Sequence, residues 1–452
     1  MATPTDTRPN IVLIVADDHG REACGCYGNP VVATPNLDRL AGYGTRFANS
    51  FCTTASCAAS RSVILTGLYN HANGTYGHTH GVHHFCCFDD VQTLPRLLAA
   101  RGYRTGRVGK RHWAPVSLFP WDWEQPEGAC GRDDVRMAES CRGFVYGRAP
   151  FFLYWASHNP HRAGVRDDLP LRPNSFGNPP ASFPGDAEQP FDPADVLVPP
   201  FLPDTPETRA ELAQYYQSIA RLDRGVGRLL DILRDAGQFE QTVIVYLSDN
   251  GAAFPGAKTT LYEPGMCLPC LVRTPWDAGG VVCDGLITWA DITPTLLDFA
   301  GAPDAAERFH GRSFRRLVGT AHPADWRTEV FAAHTFHEIT NYYPMRVVRT
   351  PRYKFIWNIA WKLDYSFASD LWSASCWQGA RRDGLERFGA RTVEAYLHRP
   401  RFELYDLEED PHELRNLAVE PAWAAQVASF CARLQQFQRD TRDPWLHKWE
   451  YE

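Results

Sequence analysis

The sequence predicts an α/β fold: a large, mostly parallel sheet flanked by helices, followed by a smaller C-terminal α+β domain that contains an antiparallel sheet. Two observations predict it. Up to about residue 320, apolar runs of strand length alternate with amphipathic stretches of helical period, as expected for strands buried under crossover helices. Beyond that point short strands are separated by turns, so the expected division is 1–320 and 321–452.

Each element follows from local chemistry. Ile11–Ala16 is an uninterrupted apolar run and predicts a buried strand. Thr34-Pro35-Asn36 opens a helix through about Gly42, with proline at the first turn. Val91–Arg101 predicts a helix, and Arg104–Gly109 and Phe151–Ala156 predict strands. Residues 164–206 are rich in Pro, Gly, Asp and Asn and predict a long surface excursion. Tyr215, Ile219, Leu222, Val226, Leu229 and Leu233 share one face of a helix from about Pro206 to Ala236. Thr242–Leu247, Cys270–Thr274 and Gly285–Ala290 predict further strands, with a helix around Ile292–Leu297. The C-terminal strands are expected at Val330–Ala333, Met345–Thr350, Tyr353–Asn358 and Phe402–Leu407, before a last helix over Pro421–Arg439.

Composition excludes several classes. The net charge of −7 opposes nucleic-acid binding, which calls for a basic face. No apolar run approaches the roughly 18 residues of a membrane-spanning helix. The polar Met1–Pro9 segment has no apolar h-region, which predicts a cytoplasmic location. Thirteen cysteines, an odd number in a long chain, do not form a disulfide framework, and Cys267-Leu268-Pro269-Cys270 lacks the second cysteine pair of a zinc site.

Chemistry concentrates at the ends of strands. Asp17-Asp18 and Asp249-Asn250 each follow an apolar run, and the C-terminal edge of an open α/β sheet is where ligands gather. Four oxygen-bearing side chains there suit a hard divalent cation, Ca²⁺ or Mg²⁺, ahead of zinc. Either pair alone would be ordinary turn chemistry. Cys57 sits at an expected helix start, where N–H groups favour an anion and a thiolate would be a plausible nucleophile, and Arg61 follows one turn later. Lys110 and His112 follow the strand ending at Gly109, and His158 follows the strand ending at Ala156, with His161 and Arg162 beside it. With Lys258 they combine anion-binding charge and proton carriers. His71, His78, His80, His83 and His84 crowd into fourteen residues without a ligand spacing, and loop or pocket-wall roles are expected of them.

These residues resemble the motifs of type I, formylglycine-dependent sulfatases of the alkaline-phosphatase-like superfamily. The shared motifs are Asp17-Asp18, Cys57-Ala58-Ala59-Ser60-Arg61, Gly109-Lys110-Arg111-His112 and Asp249-Asn250-Gly251. Val82-His83-His84-Phe85, Ser157-His158-Asn159-Pro160-His161-Arg162, Tyr343-Pro344-Met345-Arg346 and Glu403-Leu404-Tyr405-Asp406 are similar to the heparan N-sulfatase (sulfamidase) branch. The resemblance runs from about residue 9 to Trp445. It implies that Asp17, Asp18, Asp249 and Asn250 hold Ca²⁺, ahead of Mg²⁺, with formylglycine made from Cys57 completing the site. It implies that Arg61, Lys110, His112, His158 and Lys258 surround a sulfuryl group. A formylglycine-generating maturase, a sulfated sugar substrate such as N-sulfoglucosamine and a homodimer are implied as partners. Ala59 stands where the family usually has Pro, and Lys258 where the sulfamidase branch usually has Arg.

His337, Glu338 and Arg346 are candidates for substrate contact from the C-terminal domain, or equally for interdomain packing. The rival readings are an O-sulfatase or a phosphonate or phosphodiester hydrolase on the same scaffold and, further off, a non-catalytic Ca²⁺- or glycan-binding protein.

Overall fold

A computed structural model describes residues 8–163, 175–179, 181–184, 186–303 and 308–451; part of the expected excursion at 164–206 and the first seven residues lie outside it. Eight strands form the main sheet, in the order Trp123–Glu124, Arg104–Gly109, Phe151–Ala156, Asn10–Ala16, Thr242–Ser248, Cys270–Arg273, Thr45–Phe47 and Val281–Cys283. Cys270–Arg273 runs antiparallel to both neighbours, and every other pairing is parallel.

The central strands are apolar on both faces because both are covered. Ile11, Leu13, Val15, Val243 and Val245 pack into one core. Val12, Ile14, Ile244 and Tyr246 pack on the other side against Leu222, Val226 and Leu229 of the helix Pro206–Asp235. That helix starts as its chemistry dictates: the Thr205 hydroxyl accepts from Thr208 N, and Pro206 occupies the first turn.

The C-terminal sheet is antiparallel, in the order Val330–His334, Met345–Arg349, Tyr353–Asn358 and Phe402–Asp406. One face, with Met345 and Val347, joins the core of the main sheet. The other, with Val348, Phe355 and Leu404, is covered by Phe430 and Leu434 of the helix Ala424–Asp440.

Two expectations change. Gly285–Ala290 contributes only the two-residue strand Ile287–Thr288, paired with Ser50–Phe51, before a 3₁₀ turn at Trp289–Asp291. There a capping box turns the chain: Thr288 N donates to the Asp291 carboxylate at 2.7 Å. Thr45–Phe47 and Val281–Cys283 are strands that the sequence pattern did not announce, since three residues are too few to carry a period. All thirteen cysteines are free thiols.

Candidate active site

Parallel neighbours bring strand ends to one edge. Asn10–Ala16 pairs in register with Thr242–Ser248, so Asp17-Asp18 and Asp249-Asn250 emerge side by side, and Asp249 N donates to Ala16 O at 3.1 Å. Asp18 N donates to Asp249 Oδ1 at 3.0 Å, and Asn250 Nδ2 donates to Asp18 Oδ1 at 2.6 Å. Asp18 takes a left-handed backbone, φ 67°, uncommon for a residue with a side chain and typical of strain held at functional sites.

Cys57 begins the helix Cys57–Thr66, which is buried along its whole length. Its Sγ lies 3.7 Å from Asp18 Oδ1. Ser56, at the N-cap, hydrogen-bonds His337 Nδ1 at 2.9 Å and makes no side-chain cap, which leaves the first N–H groups of the helix available to an anion. Burial pushes the Cys57 thiol well above its usual range despite Lys258 and Lys110 nearby. Burial thus works against the reactive thiolate expected of an unmodified Cys57.

Cations surround the carboxylates. Arg61 Nε donates to Asp249 Oδ2 at 2.9 Å, and its Nη2 lies 3.4 Å from Asp17 Oδ1. Lys110 Nζ reaches Asp17 Oδ2 at 2.5 Å. Lys258 Nζ reaches Asp18 Oδ2 at 2.9 Å and Asp370 Oδ2 at 2.8 Å. Burial alone would raise Asp17, but Lys110, His161 and Arg61 outweigh it and hold that carboxyl well below its usual range. Burial, opposed by Arg61 and reinforced by Asp17 and Asp18, pushes Asp249 up to about 7. Burial disfavours the Lys258 ammonium, but Asp18 and Asp370 more than restore its charge.

The oxygen set fits a hard cation. Asp17 Oδ1 and Asn250 Oδ1 are buried with no hydrogen-bond partner, which leaves acceptors aimed at the cluster. Asp17, Asp18, Cys57 and His161 can each present one ligand atom within 4.8 Å of the others.

That grouping corrects one assignment. His161, not His158, joins the site: its Nε2 is 3.2 Å from Lys258 Nζ and 3.7 Å from Asp18 Oδ2, while Nδ1 is held on Arg162 O at 2.5 Å. Arg162 aims the loop by pairing twice with buried Glu211 on the long helix, at 2.6 and 3.0 Å. His158 instead lines a small recess with Gly109, Gln125 and Cys130, where burial and Lys110 lower it to about 3.

Above the cluster opens a cleft of about 680 Å³, whose wall includes Lys110, His112, His161, His337 and Glu338. His112 also holds a left-handed backbone, φ 55°, and burial and Lys110 keep its ring neutral. Glu338 Oε1 accepts from Ser369 N at 3.0 Å. Arg346 is corrected out of the cleft. It is fully buried, donates from Nε and Nη2 to Asp443 at 2.5 and 2.9 Å, and serves packing within the C-terminal unit. Asp370, the partner of Lys258, lies in a stretch of sequence that carries no motif and gives no signal of its place in the site.

Comparisons with known proteins give the family and the fold. The sulfatase family profile matches residues 9–302, and the profile of the N-sulphoglucosamine sulphohydrolase C-terminal region matches residues 256–368. The chain is 38% identical to human N-sulphoglucosamine sulphohydrolase, over 97% of this chain and 91% of that protein. It is 24% identical to an N-acetylglucosamine-6-O-sulfatase of Bacteroides thetaiotaomicron, over 96% of this chain and 87% of that one. A solved structure described as in complex with its substrate D-glucosamine-2-N,6-O-disulfate superposes with a TM-score of 0.69 at 22% identity, over 97% of this chain and 99% of the other. The phosphonate monoester hydrolase of Agrobacterium radiobacter shares the fold at TM-score 0.67 and 19% identity, over 96% of each chain. With strand-end carboxylates, a cysteine at a buried helix start and these matches along its length, the chain belongs to the sulfatase family, hydrolases that work through formylglycine and a divalent metal.

Proposed function

We propose that this sulfatase is a sulfamidase, hydrolysing the N-sulfate of N-sulfoglucosamine or a related heparan-type sugar. The observation that carries the reading is 38% identity to human N-sulphoglucosamine sulphohydrolase across 97% of the chain, C-terminal region included. The metal is Ca²⁺, for the donors of Asp17, Asp18, Asp249 and Asn250 are oxygens and two of them accept no hydrogen bond. Bound by these residues, Ca²⁺ would supply positive charge to the sulfuryl oxygens and favour ionisation of the attacking hydroxyl. Cys57 is the residue that a maturase would convert to formylglycine, which would supply the nucleophilic hydroxyl.

The other side chains act on charge and protons. Lys110 and Lys258, both kept charged by carboxylates, stabilise the negative charge of the sulfuryl oxygens. His161 Nε2 stands beside Lys258 Nζ, with Nδ1 donating to Arg162 O, as the proton carrier for the departing nitrogen, which it protonates after Nε2 has first taken up a proton. His112, neutral through burial, is the proton acceptor. His337 and Glu338 line the cleft where sugar hydroxyls would sit. The working form is a homodimer, to be checked by light scattering.

The deciding experiment offers N-sulfoglucosamine and glucosamine 6-O-sulfate separately to enzyme co-expressed with a maturase. Sulfate release from the N-sulfated sugar alone is expected. Release only from the O-sulfated sugar would overturn the substrate assignment.

A further inference from the structure

A second group of donors lies on the cleft wall, apart from the carboxylates. His78, His80 and His112 each present a ring nitrogen, and the three atoms lie within 4.8 Å of one another. His80 Nδ1 is 3.1 Å from His112 Nε2. Tetrahedral zinc with Zn–N bonds of about 2.0–2.1 Å spaces its ligand nitrogens about 3.3 Å apart, so one edge already stands at coordination spacing.

The arrangement is built into the backbone. His78 is 8% exposed, its N donates to His337 O at 2.8 Å, and its ring packs on His337 with centroids 4.0 Å apart. Gly77 lets the loop come this close, since a Cβ there would meet His337 O at 2.6 Å. His112 arrives from a separate segment after the strand Arg104–Gly109. The Nδ1 atoms of His78 and His112 are buried without a hydrogen-bond partner. Two neutral rings can share one hydrogen bond across the 3.1 Å contact, but that leaves the buried His78 Nδ1 unused.

We propose that His78, His80 and His112 form a second metal site, specific for a borderline transition cation such as Zn²⁺, whose occupation blocks the cleft. Three imidazoles with no carboxylate favour Zn²⁺ over Ca²⁺, while the oxygen cluster beneath favours the reverse, so ligand type sorts the two cations. A fourth position stays open to water or an anion. Occupation ties up the lone pair of His112, the proton acceptor of the sulfamidase reading on which the inhibitory consequence rests; the site itself does not depend on that reading.

The test is calorimetric titration of ZnCl₂ into matured, Ca²⁺-loaded protein, in parallel with its His80→Ala and His80→Asn variants. His80 is exposed, so both variants fold, which matching melting curves verify. One Zn²⁺ per chain is expected at micromolar affinity, weakened at least about tenfold in both variants. Co²⁺ should give the visible absorption of a nitrogen-ligated site in the wild type and lose it in the variants. No heat of binding, or equal affinity in wild type and both variants, overturns the proposal, the latter because the metal then sits elsewhere. The binding readout is independent of turnover, so failure of the zinc site and failure of the sulfamidase reading are separable. Zn²⁺ that binds here without slowing sulfate release overturns the inhibitory role.

Discussion

At the scale of single residues, Cys57 and His161 carry the sharpest expectations. Cys57→Ala removes the precursor of the nucleophile and is expected to lower kcat by about 10⁴-fold or more, measured as sulfate release by folded protein. His161→Ala is expected to cost about 10²–10⁴ in kcat, while His158→Ala, in its recess beside Gly109, costs far less. The opposite order would return the proton to His158. Both histidines follow the same strand three residues apart, and sequence alone offered no way to rank them. The choice is made by Arg162, whose pairing with Glu211 turns His161 toward Lys258.

At the scale of elements, the C-terminal sheet shows how alternation decides which side chain reaches a site. Successive residues of Met345–Arg349 point to opposite faces, and both faces are buried. Met345 and Val347 face the main core, and Arg346 and Val348 face away from it. Burial pushes the Asp443 carboxyl up, but the Arg346 guanidinium outweighs it and holds the folded value below the ordinary carboxylate range. A depressed folded pKa contributes stability above the unfolded pKa and loses it as pH falls toward the folded one. Asp443→Asn is therefore expected to lower stability by about 3–5 kcal/mol near neutral pH, where it strands Arg346 in the interior. The gap from wild type should shrink below about pH 4, the unfolded carboxyl range, and Tm against pH for both proteins measures it. A gap that widened in acid would show that the pair is not what holds this corner.

At the scale of the whole molecule, the site unites the central strands of the main sheet, the Cys57 helix and a segment near Asp370. Asp17, Asp18 and Asp249 lie at or near zero exposure within a few ångströms of one another, so a bound divalent ion links folding to metal concentration. Stripping the metal with EGTA is expected to lower Tm and abolish turnover together. Restored Ca²⁺ at about a hundred times its Kd returns about 2.7 kcal/mol. Scanning calorimetry across a Ca²⁺ series checks this, and a Tm indifferent to Ca²⁺ would remove the ion from the cluster.

The long central strands were legible in the sequence, because runs buried on both faces must be apolar, and so were the oxygen ligands, because the runs Asn10–Ala16 and Thr242–Ser248 break into acids where the chain leaves the core. Asp17, Asp18, Asp249 and Asn250 were legible for that reason, Arg61, Lys110 and Lys258 through their charge, and Cys57 with them through resemblance to family motifs, and all eight meet in one cluster. What depends on direction came from packing: that His161 rather than His158 faces the carboxylates, that Arg346 turns inward to Asp443, that Asp370 reaches Lys258, and that His112 meets His78 and His80. Periodicity reports whether a residue is buried, but which buried neighbour it meets is set by the packing of segments far apart in the chain.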